Sequence, residues 1–314
     1  MVPRFPAPAV LLLLLAAIPA GPLYAAGRDV IIVAGQSNTL NRHAAASALP
    51  ASPDDAAILF YFETGAPPAR GGDHPFDSTS GGRWTTLGAQ RQGAFIKYER
   101  DFFGPEISLA RALTRAGVAP LGVSKVAYFG TNLAADWQPG AATGNRLYER
   151  LQENVGTACR LLRFRGDEPR LAGFFWMQGE TDGANTANAH AYAENLAAFI
   201  RRVRADFNTP ELPFVLGRVG PRPPKGYACQ DVVRAAQVRI ADNMPYTRWV
   251  DTDDQARDSD GVHLLAPGVI TLGERMAAAR LQRRGPSRSN VPRRSESTPL
   301  SSDRIPPSGI FPPR

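Results

Sequence analysis

Short apolar runs alternate with longer segments of helical periodicity along most of the chain. The short runs, rich in β-branched and aromatic residues, predict strands at residues 30–34, 58–62, 121–128, 171–177, 214–218 and 248–251. The longer segments carry apolar residues three and four apart and predict helices at residues 106–116, 146–164, 188–207, 229–242 and 266–282. Strands that alternate with helices indicate an α/β protein with a mostly parallel sheet and helices on both faces.

One region inside this pattern has no periodicity. Residues 63–103 are rich in glycine, proline and aromatic residues. A loop of that length without secondary structure is uncommon in a compact domain and is often functional. We therefore predict a binding loop or a lid at this position.

The two ends of the chain differ from the rest. Residues 1–26 combine Arg4, an apolar run and small residues near position 25, which is typical of a secretory signal peptide. An uncleaved membrane anchor is the alternative, but the run is shorter than the ~20 residues that span a bilayer.

Residues 283–314 are rich in Pro, Ser and Arg and lack an apolar face, so we expect a disordered tail. The predicted domain is residues 27–282, secreted or periplasmic, without stable membrane insertion after cleavage.

The positive charge of the chain lies mainly outside this domain. The formal net charge is +7, and the tail supplies seven arginines against Glu296 and Asp303. The domain itself is therefore close to neutral, which argues against a basic surface for nucleic acid.

The two cysteines, Cys159 and Cys229, do not form a zinc pattern with the four scattered histidines. In an exported protein they can form a disulfide, but the sequence does not decide whether they pair.

Polar residues follow several of the predicted strands at the point where each strand ends. The segments are VIIVAGQSNTLNRH, KVAYFGTNLAADW and GFFWMQGETDG, and DSDGVHLLAPG precedes the last helix. In an open parallel sheet, ligands bind beyond the carboxyl ends of the strands. We therefore expect these four segments to form one site.

The residue types in these segments suit acyl transfer. A serine needs a base to remove its proton, and that base needs a third group to hold its tautomer. Ser37 is the candidate nucleophile, His263 the base and Asp260 the orienting acid. Glu180 is the alternative or supporting acid. Three further acids near Asp260 compete for its role: Asp253, Asp254 and Asp258.

An oxyanion that forms at the acyl carbon also needs hydrogen-bond donors. The candidates are the backbone N–H groups of Ser37 and Gly130 and the side-chain amide of Gln178. Each candidate also has a structural alternative: Ser37 as a turn former, His263 as a packing residue, Gly130 as a source of positive φ, and the two acids as helix caps. The four segments together favour a hydrolase.

The nucleophile does not lie in a Gly-x-Ser-x-Gly elbow, because Asn38-Thr39 follows Ser37. The sequence instead resembles the SGNH-type esterases, and within them the sialate O-acetylesterase-like domain of carbohydrate esterase family 6. The matching stretches are VIIVAGQSNTLNRH, FGPEISLARAL, GTNLAADWQPG, GFFWMQGETDG and DGVHLLAPGVITLGERMA.

This resemblance implies a flavodoxin-like three-layer α/β/α sandwich and deacetylation of carbohydrates through an acyl-enzyme, with no metal and no cofactor. It assigns the nucleophile to Ser37, the other triad positions to Asp260 and His263, and the oxyanion donors to Gly130 and Gln178. Phe129 stands where the family usually has glycine, and the run after Ser37 also departs from the family pattern.

The substrate is expected to be an acetylated carbohydrate. Trp84, Trp137 and Trp176 are candidates to pack on a sugar ring, with the protein core as the alternative. A lipid or aryl esterase on the same scaffold is the second functional hypothesis. A catalytically silent carbohydrate-binding protein is the third, although such a protein has no need of a nucleophile.

Overall fold

The computed structural model describes residues 26–67, 78–91 and 101–282. The strands are β1 (Ala26–Gly35), β2 (Leu59–Gly65), β3 (Ser78–Thr79), β4 (Thr85–Thr86), β5 (Leu121–Tyr128), β6 (Asp167–Met177), β7 (Phe214–Gly217) and β8 (Thr247–Val250). The helices are α1 (Ser37–Leu40), α2 (Glu106–Arg115), α3 (Leu147–Phe164), α4 (Glu180–Gly183), α5 (Thr186–Asp206), α6 (Gln230–Asn243) and α7 (Ala266–Leu281). The predicted long elements are all present, within a few residues of their expected ends.

The described strands form one sheet in the order β3-β2-β5-β1-β6-β7-β8, with β4 also paired to β2. The pairs from β2 across to β8 are parallel, and the two short strands β3 and β4 run antiparallel to β2. The predicted mostly parallel α/β sheet is confirmed. Because β1 has neighbours on both sides, its apolar run is buried on both faces, as expected of a central parallel strand.

Successive side chains of β1 enter different layers of the molecule. Ile31 and Val33 join the apolar cluster beneath α2 and α7, whereas Ile32 and Ala34 join the cluster beneath α3, α5 and α6. This is the period of two that a strand imposes on its side chains. Helices on both faces of the sheet make the three-layer α/β/α sandwich that the sequence predicts.

The contact between α2 and α7 depends on a glycine. A Cβ at Gly273 would lie 2.1 Å from Ser108 Oγ and 2.3 Å from the carbonyl oxygen of Pro105. Only a residue without a Cβ lets the two helices approach so closely. This packing fixes α7, whose N-terminal end follows the loop of residues 258–263.

The strand order switches from one side of β1 to the other. From β1 the chain passes to β2 on one side of β1 and later to β6 on the other side. The turns after β1, β5 and β6 therefore meet at the carboxyl edge of the sheet, beside this switch point, where open α/β sheets bind their ligands.

Several expectations turn out differently or fall outside the described residues. The described part of residues 63–103 is not without structure, because β3 and β4 pair with β2. Cys159 and Cys229 are free thiols. The predicted signal peptide and tail lie outside the described residues, apart from position 26. Within the described ranges, no helix has both the length and the apolar character needed to cross a membrane.

Candidate active site

The turn after β1 presents Ser37 at the edge of the sheet. Gly35 has φ +147°, and a Cβ there would lie 2.1 Å from the carbonyl oxygen of Met177. Glycine therefore lets the chain leave the sheet sharply, so that Ser37 becomes the first residue of α1. The Thr39 hydroxyl donates to the same Met177 carbonyl at 2.8 Å and anchors the turn.

Asn38 connects this turn to the loop that carries His263. Its side-chain amide is buried and donates to the Val262 carbonyl at 3.1 Å and to Glu180 Oε1 at 2.6 Å. Its Oδ1 accepts from the Leu264 backbone N–H at 2.9 Å. One side chain thus fixes the turn that carries Ser37 relative to the histidine loop. Sequence reasoning did not give Asn38 this role, because the contact spans 226 residues of the chain.

The loop of residues 258–263, called the histidine loop below, brings His263 and Asp260 together. Asp260 Oδ2 lies 2.6 Å from His263 Nδ1, and Oδ1 accepts from the backbone N–H groups of Val262 and His263 at 2.8 and 2.9 Å. Partial burial raises the pKa of Asp260, but these hydrogen bonds outweigh that effect and lower it to about 2. Asp260 is therefore ionised at neutral pH and holds the imidazole by its Nδ1 edge.

The alternative acid, Glu180, binds Asn38 rather than His263. Its side chain is buried, Oε1 accepts from Asn38, and Oε2 has no hydrogen-bond partner among the described residues. Burial raises the pKa of Glu180, and the hydrogen bond from Asn38 only partly opposes this. Within the described residues, no hydrogen bond joins Glu180 to His263.

The other competing acids are also engaged away from His263. Asp253 pairs with two arginines, Arg218 and Arg234. Asp254 pairs with Arg275 at 2.6 Å. Among the acids considered from the sequence, the structure brings only Asp260 to His263.

The remaining acid, Asp258, pairs with a second histidine that sequence reasoning missed. Asp258 Oδ2 lies 2.8 Å from His43 Nδ1. The His43 ring stacks on the ring of His263, with centroids 4.3 Å apart and planes 6° apart. Burial lowers the pKa of His43, and the neighbouring His263 lowers it further. The site therefore contains two parallel imidazole–carboxylate pairs.

A group of two histidines and a carboxylate could also bind a metal ion. His43, Asp260 and His263 each offer a ligand atom within 4.8 Å of the others. Both imidazoles, however, already use Nδ1 for a carboxylate. Two parallel rings also hold their nitrogen lone pairs in separate planes, which do not meet at one ion. The geometry suits paired bases better than a metal centre.

Ser37 and both histidines line one cleft of about 230 Å³. The cleft residues are Gln36, Ser37, Leu40, Arg42, His43, Phe129, Gly130, Thr181, Tyr227 and His263. Among the described residues, no hydrogen bond joins Ser37 Oγ to His263. Catalytic hydrogen bonds are often long or poorly aligned before substrate binds, so the lack of this bond does not exclude proton transfer between the two residues.

Two of the predicted oxyanion donors face this cleft. Gly130 lines it with φ +70°, and the space around its Cα is open. In the described part of the chain, the backbone N–H groups of Ser37 and Gly130 donate to no protein atom. Both are thus available to a ligand oxygen.

The structure corrects the prediction for Gln178. This residue is fully buried and is not part of the cleft. Its amide nitrogen donates to the Thr131 carbonyl at 3.0 Å and to Asp182 Oδ2 at 2.5 Å. With its two N–H groups engaged there, it cannot donate to an oxyanion, and it instead holds the turn after β5 against α4.

Gln36 occupies the position in the cleft that was expected of Gln178. Its Oε1 accepts from the backbone N–H groups of Gly179 and Thr181 at 3.1 and 3.4 Å. This fixes the orientation of the amide, and no described protein atom accepts from its Nε2. Gln36 directly precedes Ser37, and this position is the sequence signal that could have identified it. Residue type alone does not tell which of the two amides faces the cleft.

The aromatic residues of the cleft also differ from the predicted ones. Trp137 and Trp176 are fully buried and pack edge to face at 5.1 Å, and Trp84 is also buried. The tryptophans belong to the core, which was the alternative considered. Phe129 and Tyr227 line the cleft instead, and the Arg42 guanidinium covers the Phe129 ring at 4.3 Å.

Comparison with known proteins places this geometry in context. The sequence model of a family described as "Carbohydrate esterase, sialic acid-specific acetylesterase" matches residues 27–282. A probable carbohydrate esterase of Arabidopsis thaliana is 28% identical over 181 residues, which are 57% of this chain and 63% of that protein. The chain therefore spans less than two thirds of the length of this curated relative.

Solved structures share the fold. A protein from Arabidopsis thaliana superposes with a TM-score of 0.62 at 22% identity, over 81% of this chain and 97% of that one. A carbohydrate acetylesterase from Xanthomonas citri superposes with a TM-score of 0.53 at 18% identity, over 80% of this chain and 55% of that one. At these identities the likeness establishes the α/β sandwich.

Proposed function

Since this chain belongs to the carbohydrate esterase family of sialic acid-specific acetylesterases, we propose that it removes O-acetyl groups from a carbohydrate. In this proposal Ser37 is the nucleophile, His263 the base and Asp260 the orienting acid. The observation that carries it is the 2.6 Å contact between Asp260 Oδ2 and His263 Nδ1 on the wall of the cleft that contains Ser37. A proton on Nδ1 leaves Nε2 free to accept the proton of the serine.

Acylation begins when Ser37 Oγ attacks the acetyl carbonyl carbon and its proton passes to His263 Nε2. The bond between the acyl carbon and the sugar oxygen then breaks, and His263 returns the proton to that oxygen. Water attacks the acetyl-serine in the same way: His263 takes a proton from the water, acetate leaves, and the proton returns to Ser37 Oγ. Asp260 stays ionised throughout, because its pKa lies near 2.

The negative charge on the acyl oxygen requires fixed donors. The N–H groups of Ser37 and Gly130 serve this role, and Gln36 Nε2 is the third donor in place of Gln178. Each such donor is worth about 10²–10³ in rate. The two hydrogen bonds on Gln36 Oε1 support this assignment, because they hold the amide before substrate arrives.

The cleft suits a short acyl group. Its volume of about 230 Å³ is smaller than the ~300–1,000 Å³ of most ligand pockets. The small volume favours a short acyl group such as acetyl over a long lipid chain. The Arg42 guanidinium covers the Phe129 ring, so Tyr227, which also lines the cleft, offers the apolar face for a sugar ring. We further propose that the protein acts outside the cell or in the periplasm, from the signal-peptide pattern of residues 1–26.

Hydrolysis of p-nitrophenyl acetate tests the reaction, with Ser37→Ala as the variant. We expect kcat to fall by roughly 10⁶, as when a catalytic serine is removed. The exposed Ser47 provides the matched control, and Ser47→Ala should behave as wild type. A serine-directed phosphonate should label the wild type once and the Ser37→Ala variant not at all. Turnover or labelling that persists in Ser37→Ala would disprove the assignment.

The substrate class needs a separate comparison. Wild type should release acetate from acetylated sugars and hydrolyse p-nitrophenyl octanoate far more slowly than the acetate ester. A preference for the octanoate ester would favour a lipid esterase. An absence of hydrolysis with retained sugar binding would identify a silent binding protein.

A further inference from the structure

The stacked pair of imidazoles is not explained by a single Ser-His-Asp triad. Such a triad needs one imidazole, whereas His43 presents a second ring to the same cleft with its own carboxylate, Asp258. The two rings lie 4.3 Å apart with planes 6° from parallel. A face-to-face contact of this kind restrains the plane of the His263 ring as well as its position.

Each histidine is held by a different acid from the same loop. Asp258 reaches His43, and Asp260 reaches His263, at 2.8 and 2.6 Å. The loop is closed by the Asp258 N–H, which donates to the His263 carbonyl at 2.8 Å. The spacing of the two acids therefore sets the spacing of the two rings.

We propose that His43, oriented by Asp258, is a positioning residue that acts through the face of the His263 ring, and that its neutral form is the active one. This inference rests on the proposed function. A neutral ring against His263 restrains the imidazole and favours the imidazolium that forms during acyl transfer. A protonated His43 would place a second positive charge against that imidazolium and oppose it.

The surroundings of His43 bear on its charge. In the part of the chain that the structure describes, the titratable and charged groups around it are Asp258, Asp260 and His263 of the histidine loop, with Arg42 and Tyr227 on the walls of the same cleft. The two carboxylates favour a charged His43, whereas burial and His263 oppose it, and the balance lowers the pKa of His43. His43 is therefore neutral at neutral pH and gains its charge only in acid.

Two substitutions at His43 distinguish the contribution of its aromatic face from the contribution of its protonation. His43→Phe keeps an aromatic face but cannot titrate, and His43→Leu fills the space without an aromatic face. We expect His43→Leu to lower kcat by about tenfold with little change in KM, and His43→Phe to stay within about threefold of wild type at neutral pH. The exposed His190 offers the matched control, and His190→Phe should leave both constants unchanged.

The acid limb of the pH profile gives a readout that a merely structural role would not change. In wild type, log kcat/KM should fall in acid with a slope greater than one, because protonation of His43 adds to the loss. In His43→Phe the slope should stay at one. Equal losses in His43→Leu and His43→Phe, wild-type kinetics in His43→Leu, or an unchanged slope in His43→Phe would each overturn the proposal.

A measurement without turnover keeps this inference separate from the proposed function. The sequence has four histidines, so imidazole nitrogen resonances can be followed by NMR in the inactive Ser37→Ala variant, with His43→Phe to assign the signal. We expect His43 to be neutral, with its proton on Nδ1, at neutral pH. A charged His43 at neutral pH would overturn the inference even if the esterase assignment held. Active Ser37→Ala would overturn the esterase assignment instead.

Discussion

The histidine loop and the turn that contains α4 both bring an acid close to Ser37, but the two acids have opposite environments. Asp260 has 41% of its side chain exposed, pairs with His263, and has a pKa of about 2. Glu180 is 1% exposed, binds Asn38, and has its pKa raised by burial. An acid that supports an imidazolium must keep its charge. The exposed Asp260 therefore suits the proposed catalytic role, and the buried Glu180 suits a structural role.

The two glutamines repeat this difference. Gln36 faces the cleft with one end of its amide fixed and the other end available. Gln178 lies behind the cleft with its N–H groups engaged by Thr131 and Asp182. Residue type and position at a strand end are the same in both cases. The direction of the side chain decides which of them lines the cleft.

Among the substitutions that test this difference, those at the two acids should give the largest effect. Asp260→Asn should lower kcat by about 10⁴ with little change in KM, because the imidazole loses its tautomer and the support of its cation. Glu180→Gln, the matched control, should change kcat by less than about tenfold, because Glu180 binds Asn38 rather than His263. Steady-state kinetics on p-nitrophenyl acetate measure both. A larger loss in Glu180→Gln than in Asp260→Asn would make Glu180 the triad acid and reduce Asp260 to a loop cap.

The same substitution at the two glutamines should give different kinds of defect. Gln36→Glu keeps the acceptor for Gly179 and Thr181 but replaces the Nε2 donor, so we expect kcat to fall by about 10²–10³ with a nearly unchanged Tm. Gln178→Glu places a second carboxylate against Asp182 and should lower the free energy of unfolding by about 3 kcal/mol.

Kinetics together with thermal unfolding separate these two outcomes. Normal turnover in Gln36→Glu would remove Gln36 from the oxyanion donors. An unchanged Tm in Gln178→Glu would mean that the buried amide contributes little to the fold.

The smallest expected effect is a pH dependence of stability with opposite sign at the two acids. The pKa of Asp260 falls to about 2 on folding, so its ionised form stabilises the fold above its ordinary value of 3.8, and this contribution is lost as pH falls toward 2. The pKa of Glu180 rises on folding, so its protonated form stabilises the fold, and this contribution is lost as pH rises above 4.5.

Thermal unfolding between pH 2 and 7 tests these signs. The Tm of Asp260→Asn relative to wild type should fall as pH rises from 2 to 4. The Tm of Glu180→Gln relative to wild type should rise as pH increases above 4.5. The same direction of change in both variants would contradict the difference between the two environments.

The sequence predicted the long elements and the sheet edge that carries the site, because hydrophobic periodicity reports directly on burial. It missed β3 and β4, since two-residue strands have no period. It placed Gln178 in the oxyanion hole because the sequence does not reveal where a side chain points after a strand ends. The pairing of His43 with Asp258 was also out of reach, since these residues are 215 positions apart and join only through the fold.

The amide of Asn38 has a consequence for the integrity of the domain. It joins the turn after the first strand to Leu264, which lies 226 residues further along the chain. The proposed nucleophile and its proposed base thus come from segments that are far apart in the sequence of the domain. A fragment that ends before the histidine loop keeps Ser37 but has neither His263 nor Asp260, and there Ser37 is an ordinary hydroxyl. The proposed reactivity of Ser37 therefore requires the complete folded domain.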